Sequence, residues 1–408
     1  MVSRTTSVLV LALARAAAAT LQALVVPEPE LVALDASTSR ELLDLHRKLV
    51  EMASTTQHEQ RVGDWLAAYL QDHHNYTVEK QAVSKDRFNI LAYGNRRETS
   101  ILVSSHLDVV PPYWPYYYNE TLGLIGGRGS VDAKGSVAAQ IIAVQGLRKH
   151  LLDDISLLFV VGEETGGDGM RRFSEWEHRP APNYDVVIFG EPTDGKLVCG
   201  HKGLLSFVLR ATGRAAHSGY PWLGASANDF LVDALASLRN LRHHLPWSDK
   251  YGNTTMNLGR VQGGVAANVV AETATAHIAT RLAAGTPDVV QALVLDALQP
   301  AKAHAQHQGG DLDVEWTSHG YAPVDMDCDL EGFDTQTVNY GTDVPWLQGD
   351  HKRYLFGPGS IFVAHSDHEA LKKTDLEAAV LDYRRLILKA DERRQKERNN
   401  KHNDQVEL

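Results

Sequence analysis

Cysteine is scarce: the 408 residues contain two, Cys199 and Cys328. That excludes a disulfide-stapled scaffold and leaves room for a single bridge in an oxidising compartment, although sequence alone does not show whether the two meet. Positive charge is also short. Lys and Arg number 40 against 51 Asp and Glu, a formal net charge of -11, and no long basic patch flanks the centre of the chain, so nucleic acid is not the expected partner. A membrane-spanning run is missing too, because Arg15 interrupts the apolar stretch near the N-terminus. No internal repeat is found. What is present, 43% hydrophobic and 22% charged residues, describes an ordinary globular chain long enough for two domains with sizeable cores.

The first residues combine Arg4, the run Ser7–Ala14 and a string of alanines. A charged start, a short apolar core and small residues before a cleavage point are the marks of a signal peptide, read here as residues 1–19. An amphipathic organellar leader is the alternative. Three acceptor sequons, at Asn75, Asn119 and Asn253, fit glycosylation of a secreted eukaryotic protein.

Chemistry begins at Ile101-Leu-Val-Ser-Ser-His106-Leu-Asp108, an apolar strand that ends abruptly in an imidazole and a carboxylate. Ile155–Val161 ends likewise in Gly162-Glu163-Glu164, and Asp185–Phe189 in Gly190-Glu191. Between them a glycine-rich loop, Gly126 to Gly135, carries Asp132 ahead of a helix over Lys134–Leu147. Further helices are predicted over Ser37–Ala53 and His58–Asp72, where apolar residues recur every three to four positions. Helices alternating with apolar strands predict an α/β domain: a mainly parallel, mixed sheet with helices on both faces. Ligands collect beyond the carboxyl ends of such strands. Surface solvation or a plain turn would explain any one of these polar strand ends, but carboxylates held together at one sheet edge repel, and a divalent cation relieves that cost.

From Gly203 the texture changes. The order strand Leu204–Ala211, helix Ser226–Leu241, strands Thr254–Val261 and Val269–Leu282, helix Pro287–Leu298, strand Asp311–Trp316 predicts a ferredoxin-like α+β domain inserted over 204–318. It splits a catalytic domain into 20–203 and 319–408. Ala215-Ala-His217-Ser-Gly219, Gly263-Gly264 with Asn268, and Arg281 stand out within it. After the insertion come Gly357-Pro-Gly-Ser360, then His365 and His368, then a final helix whose start reads as a capping box of Thr374 with Glu377 and whose tail from Glu392 reads as frayed.

Taken jointly, His106, Asp132, Glu164, Glu191 and His365 make two sets of nitrogen and oxygen ligands if one carboxylate is shared. That fits a pair of zinc ions, with Glu163 beside a ligand yet itself free to act as base towards a bridging water. The strings SSHLDVVP, GRGSVDAKG, GEET, FGEPT, AHSG, GGVAANVV and GPGSIFVAHSDHE, in order over about residues 40–390, resemble the co-catalytic zinc hydrolases that include aminoacylase, acetylornithine deacetylase, succinyl-diaminopimelate desuccinylase and glutamate carboxypeptidase. The resemblance implies that His106, Asp132 and Glu191 hold one zinc and Asp132, Glu164 and His365 the other, His365 rather than His368 being the ligand. It implies that Asp108 orients His106, that Glu163 is general base and then acid, and that His217 reaches the oxyanion across a homodimer interface in the inserted domain. Asn268 and Arg281 would bind the substrate's carboxylate. The expectation is a secreted fungal-type zinc carboxypeptidase acting on peptides. A deacylase of N-acyl amino acids using the same site is the alternative, and a binding protein without chemistry the third reading.

Overall fold

The computed structural model describes residues 33–147, 149–177 and 184–406; the expected signal peptide lies outside the described residues. Helix α1 (Ala36–Glu51) starts where the Asp35 carboxylate accepts the N–H groups of Ser37 and Thr38, and its stripe Leu42, Leu45, Leu49 is buried. Helix α2 (Gln60–His74) ends on Asn75 in the left-handed conformation, whose N–H returns to the Leu70 carbonyl. Strands β1 (Thr77–Ser84) and β2 (Arg87–Tyr93) follow, then β3 (Ile101–His106), α3 (Lys134–Gln145), β4 (Ile155–Val160), α4 (Asp168–Glu177) and β5 (Val186–Gly190). Much later β10 (Lys352–Phe356) completes a six-stranded sheet of order β1-β2-β4-β3-β5-β10. Strands β3, β4, β5 and β10 are mutually parallel, and the β1–β2 hairpin adds antiparallel to β4.

Every residue of β3, β4 and β5 is buried, the reason these strands read as continuous apolar runs rather than alternations. Their pleat feeds two cores. Ile101, Val103 and Ile188 pack with α1, α2, α3 and the final helix α7 (Lys373–Val406), while Leu102, Val187 and Phe189 pack with Met170 and Phe173 of α4 on the opposite face.

The inserted stretch builds a sheet of its own: β6 (Gly203–Thr212), α5 (Ala227–Leu241), β7 (Thr255–Gly263), β8 (Thr273–Leu282), α6 (Pro287–His307) and β9 (Asp311–Trp316), with antiparallel strand order β7-β8-β6-β9. Leu205, Phe207 and Leu209 alternate towards Phe230 and Leu238 of α5 and Val294 and Leu298 of α6. Two boundaries differ from the sequence reading by more than two residues. β8 begins at Thr273 rather than Val269, because the N–H of Val270 is taken by the Ala216 carbonyl and Val269 bridges His217. Helix α6 continues through Pro300 to His307, because Ala301 and Ala305 extend the buried stripe beyond Leu298 and that packing outweighs the bond the proline removes.

Two other readings are corrected. No Thr374–Glu377 box forms: Thr374 donates to Asp375 at 3.3 Å, and Glu377 is met by the Ser39 hydroxyl and by Lys373 at 3.2 Å. The tail does not fray at Glu392. Arg393 pairs with Asp329, Arg394 with Asp154 at 2.7 Å and Arg398 with Asp185 at 2.5 Å, so α7 stays helical to Val406. Cys199 and Cys328 are joined in a disulfide. Among the described residues no helix is long and apolar enough to cross a membrane.

Candidate metal and active site

The carboxyl ends of β3, β4 and β5 lie side by side, His106 pairing with Val160 across the ladder. They are clamped together there: the Ser105 hydroxyl donates to the Gly190 carbonyl at 2.9 Å, and the Gln140 amide of α3 donates to the Ser104 carbonyl at 2.9 Å. After β4 the chain must reverse at once into a single helical turn, Glu163–Thr165. Gly162 makes the reversal with φ +79°, where a β-carbon would also lie 2.7 Å from an Arg87 nitrogen.

Asp108 is fully buried, and its carboxylate collects the N–H groups of Gly162, Glu163 and Glu164 at 2.9, 3.1 and 3.3 Å together with the Thr56 hydroxyl at 2.9 Å. A carboxylate at the start of a helical turn meets its unpaired N–H groups, so Asp108 fixes the backbone that carries both glutamates. It meets His106 chiefly through its main chain: Nδ1 of His106 is 3.0 Å from the Asp108 carbonyl and 3.7 Å from its carboxylate. Since a carbonyl only accepts, Nδ1 carries a proton, and Nε2 is the nitrogen turned to the site.

There His106 Nε2 lies 3.1 Å from Asp132 Oδ1 and 3.7 Å from Glu191 Oε1, while His365 Nε2 lies 3.2 Å from Asp132 Oδ2 and 3.0 Å from Glu164 Oε2. The ligand atoms of His106, Asp132 and Glu191 fall within 4.8 Å of one another, as do those of Asp132, Glu164 and His365. Asp132 belongs to both groups and turns one oxygen to each. His365 holds a left-handed backbone at φ +61° to reach in, whereas His368 faces out and meets its neighbour Asp367 at 2.8 Å.

The electrostatics show what the cluster needs. Burial, reinforced by Glu191, pushes the Glu163 carboxyl well above its usual range, and burial with Asp132 does the same to Glu191. Burial also pushes Asp132 up, but bonds from His106 and His365 outweigh it and hold this carboxyl low; those from Asp132 and Glu164 raise His365 to about 10. Buried carboxylates thus draw positive charge onto the two imidazoles, and imidazole with carboxylate, without thiolate, is a donor set that suits zinc. The residues present fit a pair of divalent ions sharing Asp132.

Two buried acids escaped the sequence reading. Glu369 accepts the N–H groups of Gly129, Val131 and Asp132 at 3.0, 3.1 and 3.1 Å and pairs with Arg128 at 2.6 Å, so it shapes the loop that aims Asp132. Arg128 lies in the same glycine-rich stretch as Asp132, the one signal that could have pointed there. Asp343, raised to about 7 by burial, has an oxygen without a hydrogen-bond partner.

A cleft of about 480 Å³ opens from the cluster towards the inserted unit, lined on that side by Leu204, Ser206 and Arg281. His217 and Asn268 are elsewhere. Both are exposed and sit together on the inserted unit, where the Ser218 N–H donates to the Asn268 carbonyl at 3.0 Å. The side chains of Asn75, Asn119 and Asn253 are all exposed.

The model of Peptidase family M20/M25/M40 matches residues 102–389. A probable carboxypeptidase of Aspergillus flavus is 49% identical over 383 residues, 86% of this chain and 88% of that protein. Another, from Arthroderma otae, is 45% identical over 397 residues, 87% of each chain. In fold, a dipeptidase of Saccharomyces cerevisiae superposes with a TM-score of 0.71 at 14% identity over 87% of this chain and 97% of its own. An M20 family metallo-carboxypeptidase of Sulfolobus solfataricus gives 0.66 at 18% identity over 86% and 99%.

Proposed function

This chain belongs to peptidase family M20/M25/M40, as its motifs indicated, and from that premise we propose that it is a secreted zinc carboxypeptidase that hydrolyses the amide next to a free C-terminal carboxylate. The observation that carries the reading is the pairing of two ligand groups through Asp132 with a glutamate, Glu163, that borders both and belongs to neither. When bound by His106, Asp132 and Glu191 and by Asp132, Glu164 and His365, two zinc ions supply Lewis acidity and lower the pKa of an attacking water. Glu163 takes the proton of that water as its oxygen bonds to the scissile carbonyl carbon, then delivers it to the amine nitrogen as the C–N bond breaks. Its burial suits the task, because it raises the proton affinity of the carboxylate that must take the proton. Asp108 holds the Glu163 N–H and so aims the base. Arg281, which forms no ion pair among the described residues, receives the substrate's terminal carboxylate, while Asn268 and His217, which sit together away from this cleft, act from a second copy, Asn268 on the carboxylate and His217 on the oxyanion.

Secretion is supported by the N-terminal sequence pattern read as a leader, the three exposed sequons and the disulfide, a bond that persists in oxidising compartments. The test is to assay the purified protein on blocked dipeptides and N-acetyl amino acids, before and after chelation and zinc return. Zinc-restored cleavage of the dipeptides is expected. Cleavage of the N-acetyl amino acids alone would move the assignment to a deacylase.

A further inference from the structure

The cleft holds a second guanidinium. Arg171, in the first turn of α4, lines the same cleft as the ligand cluster, with its guanidinium carbon 3.6 Å over the Trp346 ring. The platform is built for it: Gly167, at φ +75°, lets the indole lie against the backbone, since a β-carbon there would stand 2.3 Å from Trp346 Cδ1. Beyond Trp346 the ring of Tyr321 packs edge-on at 5.3 Å. Arg281 comes next, its Nη1 lying 3.3 Å and the Tyr321 hydroxyl 2.0 Å from the place a β-carbon on Gly341 would take. The wall therefore reads Arg281, Tyr321, Trp346, Arg171, two cations held two aromatic rings apart.

Arg171 is short of partners. Its Nε is buried without a hydrogen bond, and among the described residues no carboxylate stands within ion-pair distance of it. Asp343 is the acid that feels its charge, but it makes no ion pair with it, and a partly desolvated guanidinium without a directly bonded anion is costly. Stacking on an indole steadies the cation yet leaves the in-plane N–H fork open, the geometry that receives a carboxylate in two bonds. One terminal carboxylate satisfies Arg281 and leaves Arg171 unanswered.

We propose that Arg171, seated on Trp346, anchors a second anion subsite, and that the cleft prefers substrates with a carboxylate besides the terminal one. The proposal rests on the carboxypeptidase reading above and names its substrate class: chains with an acidic residue at the C-terminus or just before it. An extended chain advances about 3.3–3.6 Å per residue, so both positions are within reach.

The experiment compares blocked dipeptides in matched pairs, glutamate against glutamine, first as the C-terminal residue and then as the residue before it. In one pair the acid is expected to be preferred in kcat/KM by roughly ten- to a hundredfold, the range of a charged hydrogen bond, and the pair that shows it locates the second charge. Arg171→Met, which keeps the stem on the indole, is expected to bring that ratio near one, and Arg171→Lys to keep part of it. No preference in the natural protein, or the same preference in Arg171→Met, overturns the proposal. Should no dipeptide be cleaved, the carboxypeptidase reading fails, and the subsite is still decided by thermal stabilisation. N-acetylglutamate is expected to raise Tm more than N-acetylglutamine in the natural protein and equally in Arg171→Met; equal shifts in both proteins overturn it.

Discussion

His106 is 1% exposed at the end of a buried strand, whereas His217 stands on the surface of the inserted unit, although both carry roles in the same proposed reaction. In the sheet unit every candidate ligand except His365 is enclosed, and each of these is held by a neighbour: His106 by the Asp108 carbonyl, Asp132 by Glu369, Glu164 by the Asp108 carboxylate that also holds Glu163, and Glu191 by the Phe356 carbonyl. In the inserted unit, His217 and Asn268 rest only on main-chain links between two surface stretches, Ser218 to Asn268 and Val270 to Ala216. Groups that must keep like charges together at fixed spacing sit on rigid strand ends. Groups that act only when a substrate or second copy arrives can sit in solvent. Damage to the first kind should alter chemistry or metal content, and damage to the second should be repairable from outside.

The sharpest break of this contrast is within the sheet unit itself, between adjacent glutamates. Glu163→Gln keeps size and hydrogen bonding but removes the base, so kcat is expected to fall by about 10²–10⁴-fold while both metals are retained. Glu164→Gln is expected to lose metal from one position. Metal analysis alongside kinetics separates them, and a Glu163→Gln protein that sheds zinc would overturn the division of labour.

For the inserted unit, His217→Ala is expected to cost about 10²–10³-fold in kcat, the usual weight of one oxyanion donor. Co-expression with Glu163→Gln then tests where it acts. If His217 serves the partner's cleft, mixed dimers recover activity that neither variant has alone; if it serves its own chain, the mixture stays inactive.

How far these roles could be read from the sequence follows the same divide. Strands β3, β4 and β5 were legible because buried parallel strands are apolar throughout, and the candidate ligands His106, Glu164 and Glu191 because each ends such a run, whereas Asp132 and His365 lie in loops. Supports drawn from far along the chain were not. Glu369 acts on residues about 240 positions earlier, Trp346 has its face turned to Arg171 by a turn that follows the insertion, and the ion pairs that keep α7 helical join it to Asp154, Asp185 and Asp329. Nothing local marks these residues as anything but surface charge. Asp108 was legible as a residue of the site, but not that its carboxylate would go to the Glu163 turn and its carbonyl to His106.

Glu369 offers a milder test of the rigid half. Glu369→Gln keeps one acceptor oxygen for the loop N–H groups but weakens the pairing with Arg128, so Asp132 is aimed less firmly. Loss of such a support typically costs 10–100-fold in metal affinity, and competition with a chelator is expected to show a shift in that range. An unchanged affinity would mean that the loop holds Asp132 without it.

The smallest expected effect lies at the junction of the two units. His201, in the strand just before β6, is buried, with Nδ1 2.7 Å from the Lys202 carbonyl and Nε2 3.1 Å from the Thr342 hydroxyl. Burial lowers its pKa from 6.5 to about 4, with Arg281 adding to the effect against the carbonyl's opposing pull. The folded value lies below the unfolded one, so between them the unfolded chain binds the extra proton. Stability is complete above the unfolded value and falls as pH drops towards the folded one. One such group contributes a slope of up to about 1.4 kcal/mol per pH unit. His46 and His351, also of the sheet unit, are lowered to about 4 by burial as well, while the histidines at 217, 243, 244, 277, 304 and 307 of the inserted unit are exposed. Acid should therefore loosen the sheet unit first. His201→Gln preserves a donor and an acceptor without the titration, so denaturant unfolding between pH 6.5 and 4 is expected to lose about one proton's worth of slope. Hydrogen exchange in β6 and β8 should hardly change over the same range. If those strands open together with β3, the junction couples the two units, and the contrast between a rigid half and an independent one does not extend to their stability.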